Sequence, residues 1–127
     1  MSVKRALWIL LAICLLFPCS YALWLGMAFR DIWLRDGMVN AARAGDARTI
    51  EQLMSIGASP SPVGWEEHVT PLGGATQCGQ VGVVRLLLRR GANVNERDDH
   101  RETALTLARR CRQAQIAQLL TNAGGHE

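Results

Sequence analysis

TPLGGATQCGQVGVVRLLLRRGAN, residues 70–93, and TALTLARRCRQAQIAQLLTNAGG, residues 103–125, align without a gap, Thr70 falling on Thr103. The offset of 33 is kept by Leu72 and Leu105, Ala75 and Ala108, Cys78 and Cys111, Val83 and Ile116, Leu86 and Leu119, Leu87 and Leu120, and Gly91 and Gly124. A weaker third copy, AARAGDARTIEQLMSIGAS from Ala41, sets Gly45 and Gly57 ahead of Gly79 and Gly91 at an offset of 34. One residue is therefore inserted between the first two copies, in the loop SPSPVGWEEHV. A period of this length marks a repeat architecture, in which each unit is one supersecondary element that buries its apolar face only by stacking on its neighbours.

The local pattern is helical. In VVRLLL, Val83, Leu86 and Leu87 fall at i, i+3, i+4, so one stripe can face an adjacent repeat. Gly57, Gly91 and Gly124 each follow such a helix, where a left-handed residue is wanted to end it. About three units are needed for a stable stack, and the chain has barely that many.

The segments TPLGGA, LLLRRGANVN and TALTLA resemble the ankyrin repeat, whose 33-residue unit opens with a TPLH-like turn and closes with a glycine-led, Asn-rich one. The resemblance covers residues 38–125 and implies an all-α fold: a solenoid of about three helix-turn-helix repeats (38–69, 70–102 and 103–125) with a hairpin-like finger joining neighbours. Several residues depart from the pattern. Gly73 and Thr106 stand where the turn's His is expected, which removes its local hydrogen bond. Gly73 and Gly74 in succession should each weaken a helix start by about 1 kcal/mol relative to Ala. His68 and Arg101 replace a finger glycine and Arg112 an inter-helix one, so distorted turns are expected there. Arg109, Arg110, Arg112, Gln113, Gln115 and Gln118 give the last repeat the polar face of a terminal cap.

The resemblance also implies protein binding through finger tips and the exposed positions of each first helix. In this sequence those are Arg43 in the first repeat, Trp65, Glu66, Glu67, Val69 and Gln77 around the second, and Asp99, His100, Glu102 and Arg110 around the third. Trp65 has two readings, an anchor for a partner or a plug folded onto its own loop. Loss of stability in Trp65→Ala would favour the plug, and loss of binding at unchanged stability the anchor.

Composition excludes other classes. The formal net charge is +3, but residues 38–127 hold ten Arg against nine acids, without the basic excess that phosphate binding requires. Nucleic acid is not an expected partner. The sequence has no CxxC, no Cys/His cluster, no Gly-rich phosphate loop, no nucleophile elbow and no HExxH. No enzymatic activity, cofactor, metal or small-molecule substrate is expected, and Asp98, Asp99 and His100 read as finger-tip turn residues rather than a cation site. Cys78 and Cys111 sit at equivalent positions of neighbouring repeats. Stacked helices lie roughly 8 to 10 Å apart and a disulfide needs Cα atoms within about 7 Å, so both thiols should be free.

The N-terminus is of a different kind. From Ala6 to Phe29 the sequence runs without a single charged residue. At about 1.5 Å per residue this run reaches roughly 36 Å, enough for a hydrocarbon core of about 30 Å. Trp8 and Trp33 flank it as interfacial anchors do, and Lys4 and Arg5 precede it, so the N-terminus stays in the cytoplasm and the repeats pass to the far side. The expected organisation is a cytoplasmic N-terminus (1–5), a transmembrane helix preceding the solenoid (6–29), a short linker (30–37) and the repeats. The alternative is a signal peptide over residues 1–22, with Lys4 and Arg5 as its basic end, Pro18 as breaker and Ser20-Tyr21-Ala22 before the cut. Both place the repeats in the periplasm or another extracytoplasmic space.

The function expected is a membrane-tethered protein–protein interaction module, with an unknown protein partner such as an exported toxin that it neutralises. The alternatives are an assembly subunit of a membrane complex acting through its apolar helix, where Ala22 and Gly26 offer small residues four apart, or a cleaved, soluble exported protein.

Overall fold

The computed structural model describes residues 25–27, 29–61 and 69–127. It divides into two units, Met1–Trp33 and Leu34–Glu127, which are taken separately. In the first, residues 25–27 and 29–33 are helical. The expected transmembrane helix over 6–29 and the alternative signal peptide over 1–22 lie almost wholly outside the described residues. Among the described residues no helix is long and apolar enough to cross a membrane.

The second unit is a stack of helical hairpins. Residues 34–44 form α1, followed by α2 (Ala47–Ser55), α3 (Pro71–Gln77), α4 (Val81–Arg89), α5 (Ala104–Arg110) and α6 (Ala114–Asn122). The described residues contain no strand beyond an isolated antiparallel bridge between Arg97 and Thr103. Residues 30–37, expected as a linker, are helical as well. Asp36 and Gly37, at the positions Thr70 and Pro71 hold at the start of α3, therefore begin no helix of their own.

The core follows the register of the repeats. Met38, Leu72 and Leu105 recur on the inner helices, as do Ala41, Ala75 and Ala108, and all six are buried. Leu53, Leu87 and Leu120 recur on the outer helices and join the same apolar cluster. Alanine at the inner-helix position lets helices approach, and leucine or methionine fills the space between layers. α3 packs on its own partner α4 and on α5 of the next repeat, and α4 packs on α2 and α6.

Helix ends obey the same register. Thr70 and Thr103 take extended backbone before α3 and α5, and their hydroxyls accept the N–H of Gly73 (2.9 Å) and Thr106 (3.3 Å). With His absent from this turn, the capping bond is retained, and in the third repeat the Thr106 hydroxyl sits 3.2 Å from that of Thr103. The outer helices close as Schellman motifs: Ala58, Ala92 and Gly125 donate back to Leu53, Leu87 and Leu120 at 2.9, 2.9 and 2.8 Å. The glycines at 57, 91 and 124 carry the left-handed conformation expected of them.

Two expectations about departures from the pattern are corrected in physical terms. The turn at Arg112 keeps the conformation of its glycine counterparts, and His68, the counterpart of Arg101, lies outside the described residues. Arg112 takes φ 55° where Gly45 and Gly79 take 78° and 71°, and Arg101 takes φ 58° in the finger. The cost appears as backbone strain in an unchanged turn, because only glycine adopts this region freely. Gly73 and Gly74 are not simply weak helix formers either. A Cβ on Gly73 would lie 3.2 Å from Leu107 Cδ1 of α5, and one on Gly74 would lie 3.2 Å from Arg43 Cγ of α1. The two glycines let α3 sit close between its neighbours, and every residue from Pro71 to Thr76 is buried.

Candidate protein-binding surface

Three residues in equivalent register stand in the last turns of the inner helices: Arg43, Gln77 and Arg110. Arg43 is exposed, with its stem lying over Gly74. Gln77 is half-buried and its carbonyl accepts from Gln113 Nε2 at 3.5 Å. Arg110 is exposed, and its guanidinium lies 2.7 Å from the Glu102 carboxylate. The register thus brings three of the expected contact residues into one row, with a fourth, Glu102, paired to the last of them.

The finger between the second and third repeats is organised by Asp98, which is 9 % exposed. Its Oδ1 accepts the Glu102 N–H at 2.8 Å, its own N–H donates to the Glu102 carbonyl at 3.0 Å, and Arg101 N–H donates to its carbonyl at 2.9 Å. Arg97 adds a guanidinium bond of 2.8 Å to the Arg101 carbonyl. Asp98 is thereby committed to the turn, leaving Asp99 and His100 exposed at the tip. No group of three His, Cys, Asp or Glu side chains suited to a metal occurs among the described residues.

Other expected contact residues fare differently. Val69 is half-buried, with Cγ1 3.6 Å from where a Gly73 Cβ would be, so it packs rather than presents itself. Trp65, Glu66 and Glu67, with His68, lie outside the described residues. Cys78 and Cys111 are exposed free thiols that follow α3 and α5 as C-caps.

Sequence reasoning missed two polar ladders that tie repeat to repeat. Gln80 Nε2 donates to the Arg43 carbonyl at 3.1 Å, and one repeat on Gln113 makes the same bond to Gln77. On the loop side, Ser61 Oγ accepts the Asn93 N–H at 2.6 Å, and one repeat on Asn95 Oδ1 accepts the His126 N–H at 2.9 Å. Each acceptor is set by a local bond: Ser59 Oγ takes the Ser61 N–H at 3.2 Å, and Asn93 Oδ1 takes the Asn95 N–H at 3.1 Å. The available signal is the recurrence of Gln at 80 and 113 and of short hydroxyl or amide side chains at 59, 61, 93 and 95.

Among the described residues two carboxyls are perturbed. Asp46 caps α2, and the Thr49 hydroxyl and N–H hold its pKa below the usual value. Partial burial pushes Glu96 up, against a smaller opposing hydrogen bond from Ser61.

Stacked αα-hairpins, the second and third joined by a finger that the Arg97–Thr103 bridge closes, define a helical-repeat solenoid, a class that works through its surface rather than through an enclosed pocket. A family model described as ankyrin repeats (3 copies) matches residues 38–127, and the chain belongs to that family. A search of curated proteins returned no match. As an ankyrin repeat protein the chain is a protein–protein interaction module, of a family that is generally non-catalytic.

Proposed function

We propose that the chain is an ankyrin module held at a membrane by residues 6–29 and exposing its repeats outside the cytoplasm, where they bind another protein along the inner-helix row and the finger tips. The observation that carries the tether is the uncharged run from Ala6 to Phe29 behind Lys4 and Arg5. Arg43 supports the binding row: it is exposed and has no ion pair among the described residues, on a surface whose other arginine, Arg110, is already matched by Glu102. The finer reading is that the partner is an exported toxin or enzyme that the module neutralises, supported by the uncharged run behind Lys4 and Arg5 and by the lack of a recognisable catalytic constellation in the sequence.

Two experiments test this. Alkaline phosphatase fused after the last repeat should be active, and Met1 or Ser2 should be the N-terminus of the membrane-bound protein; Leu23 would mean cleavage and release. The double variant Arg43→Glu, Arg110→Glu should lose the cross-linked partner while keeping its thermal unfolding curve, and undiminished recovery of the partner would remove the row from consideration. A structural subunit acting through the apolar helix is the second reading, favoured by the exposed Phe29, Ile32 and Trp33. Replacement of residues 6–29 by an unrelated spanning helix should leave function intact if the repeats bind, and abolish it under the second reading.

A further inference from the structure

Large exposed hydrophobic side chains are unevenly placed. Among the described residues they are Leu25, Met27, Phe29, Ile32, Trp33 and Ile56, so all but Ile56 fall in one short stretch of the first unit. Trp33 is 66 % and Phe29 73 % exposed. Leu25, Phe29 and Ile32 follow i, i+4, i+7 spacing and share one helical face, with Trp33 beside Phe29. Contiguous apolar exposure of this kind marks a surface that something covers.

The identity of the cover follows from charge, area and continuity. Arg30 and Asp31, the charges inside this stretch, lie 3.4 Å from each other and cancel, so no net charge recruits an acidic or basic partner. At roughly 150 to 250 Å² for each wholly exposed aromatic, Phe29 and Trp33 at 73 % and 66 % exposure offer about 200 to 350 Å² together, and the half-exposed Leu25 and Ile32 add less than that. The sum is below the roughly 800 Å² per partner of a stable protein interface. The run from Ala6 continues into this stretch with no charge before Arg30, and an aromatic at the end of an apolar run suits the boundary between acyl chains and headgroups.

We propose that the helical face of Leu25, Phe29 and Ile32 lies in the interface of a phospholipid bilayer, with Trp33 at the headgroup boundary. This rests on the tether reading above and adds to it a depth and an orientation: the helical residues past the uncharged run are lipid-bound rather than free in water.

The test uses the full chain with Trp8, Trp24 and Trp65 changed to Phe, leaving Trp33 as its only tryptophan. It is reconstituted in phosphatidylcholine vesicles carrying bromine either near the headgroup or near the chain ends. Headgroup-side bromine should quench Trp33 emission at least threefold, and chain-end bromine much less. Water-like, unquenched emission from protein that sediments with the vesicles overturns the interfacial placement and leaves the tether standing. Protein left in the supernatant overturns both. Blue-shifted emission that no bromine quenches, with a cross-linked dimer, overturns the lipid assignment in favour of a second copy of the chain. If the triple replacement disturbs the repeats, the difference in quenching between the unaltered chain and Trp33→Phe supplies the same measurement.

Discussion

Gln80 and Arg43 are joined across the first repeat junction: the Gln80 side-chain amide donates to the Arg43 carbonyl at 3.1 Å, passing over Gly45. That carbonyl belongs to the last turn of α1, where carbonyls lack helical partners, so a neighbouring repeat supplies the donor. At the equivalent position of the first repeat stands Asp46, which caps its own helix instead. The bond explains why glycine holds position 45 twice over, by its positive φ and by the side chain above it. Gln80→Ala should cost about 1 kcal/mol in urea unfolding, the usual net value of such a bond. Gln113→Ala should cost less, since its bond is 3.5 Å long. Gly45→Ala should cost more than either, and the double variant Gly45→Ala, Gln80→Ala less than the sum of its parts, because removing Gln80 opens room for the new methyl. Strict additivity would mean that the two residues do not touch in solution.

Much of this is legible in the sequence and some is not, for physical reasons. The recurrence of Leu72 with Leu105 and of Ala75 with Ala108 is a burial signal, since a stack needs the same apolar shape at the same height in each unit, and it identifies both fold and family. Polar residues at Gln80, Gln113, Ser61 and Asn95 recur just as regularly, but a polar residue is equally at home in water, so only geometry reveals its bond. Gly73 and Gly74 read as weak points because helix propensity counts the cost of a missing side chain and not the approach it permits. Asp99 and His100 do stand at a tip, whereas their neighbour Asp98 holds that tip together. The N-terminal run is legible as composition alone, which is why its role is a proposal.

Two glycines on α3 and α4 should answer the same substitution with opposite sign. Gly82 lies within α4 with nothing inside 4 Å of an added Cβ, so Gly82→Ala gains helix propensity at no steric expense. It should stabilise the chain by about 0.5 to 1 kcal/mol. Gly73→Ala gains the same propensity but sets its methyl 3.0 Å from Thr70 Oγ1 and 3.2 Å from Leu107 Cδ1. It should lower the midpoint of thermal unfolding. Equal responses would mean that α3 and α5 are further apart than described.

Arg112 offers a stabilising change at a strained turn. Its φ of 55° lies in the region where a side chain costs roughly 1 to 2 kcal/mol, and its counterparts Gly45 and Gly79 show what the turn prefers. Arg112→Gly should stabilise by about 1 kcal/mol after the extra entropy of glycine in the unfolded chain is counted. Arg101→Gly should act in the same direction, and the bond from Arg97 to its carbonyl survives because it involves backbone. Urea midpoints that fall in both variants would show that the arginine side chains contribute more than their backbones cost.

The two perturbed carboxyls pull stability in opposite directions with pH, in windows that can be separated. Asp46 has its pKa lowered from 3.8, chiefly by the Thr49 hydroxyl, so its contribution is complete above 3.8 and is lost as pH falls through the lower folded value. Glu96 has its pKa raised from 4.5 by burial, so its contribution is complete below 4.5 and is lost as pH rises through the higher folded value. Burial therefore disfavours the Glu96 charge in the folded state, with the Ser61 bond opposing in smaller measure. Glu96→Gln should raise the urea midpoint at pH 7, and the gain should shrink to nothing below about pH 4.5, where the wild-type carboxyl is already neutral in both states. Asp46→Asn should do the reverse, lowering the midpoint at pH 7 and converging on wild type only in stronger acid. A Glu96→Gln gain that is the same at pH 7 and pH 4 would show that shape rather than charge decides that position.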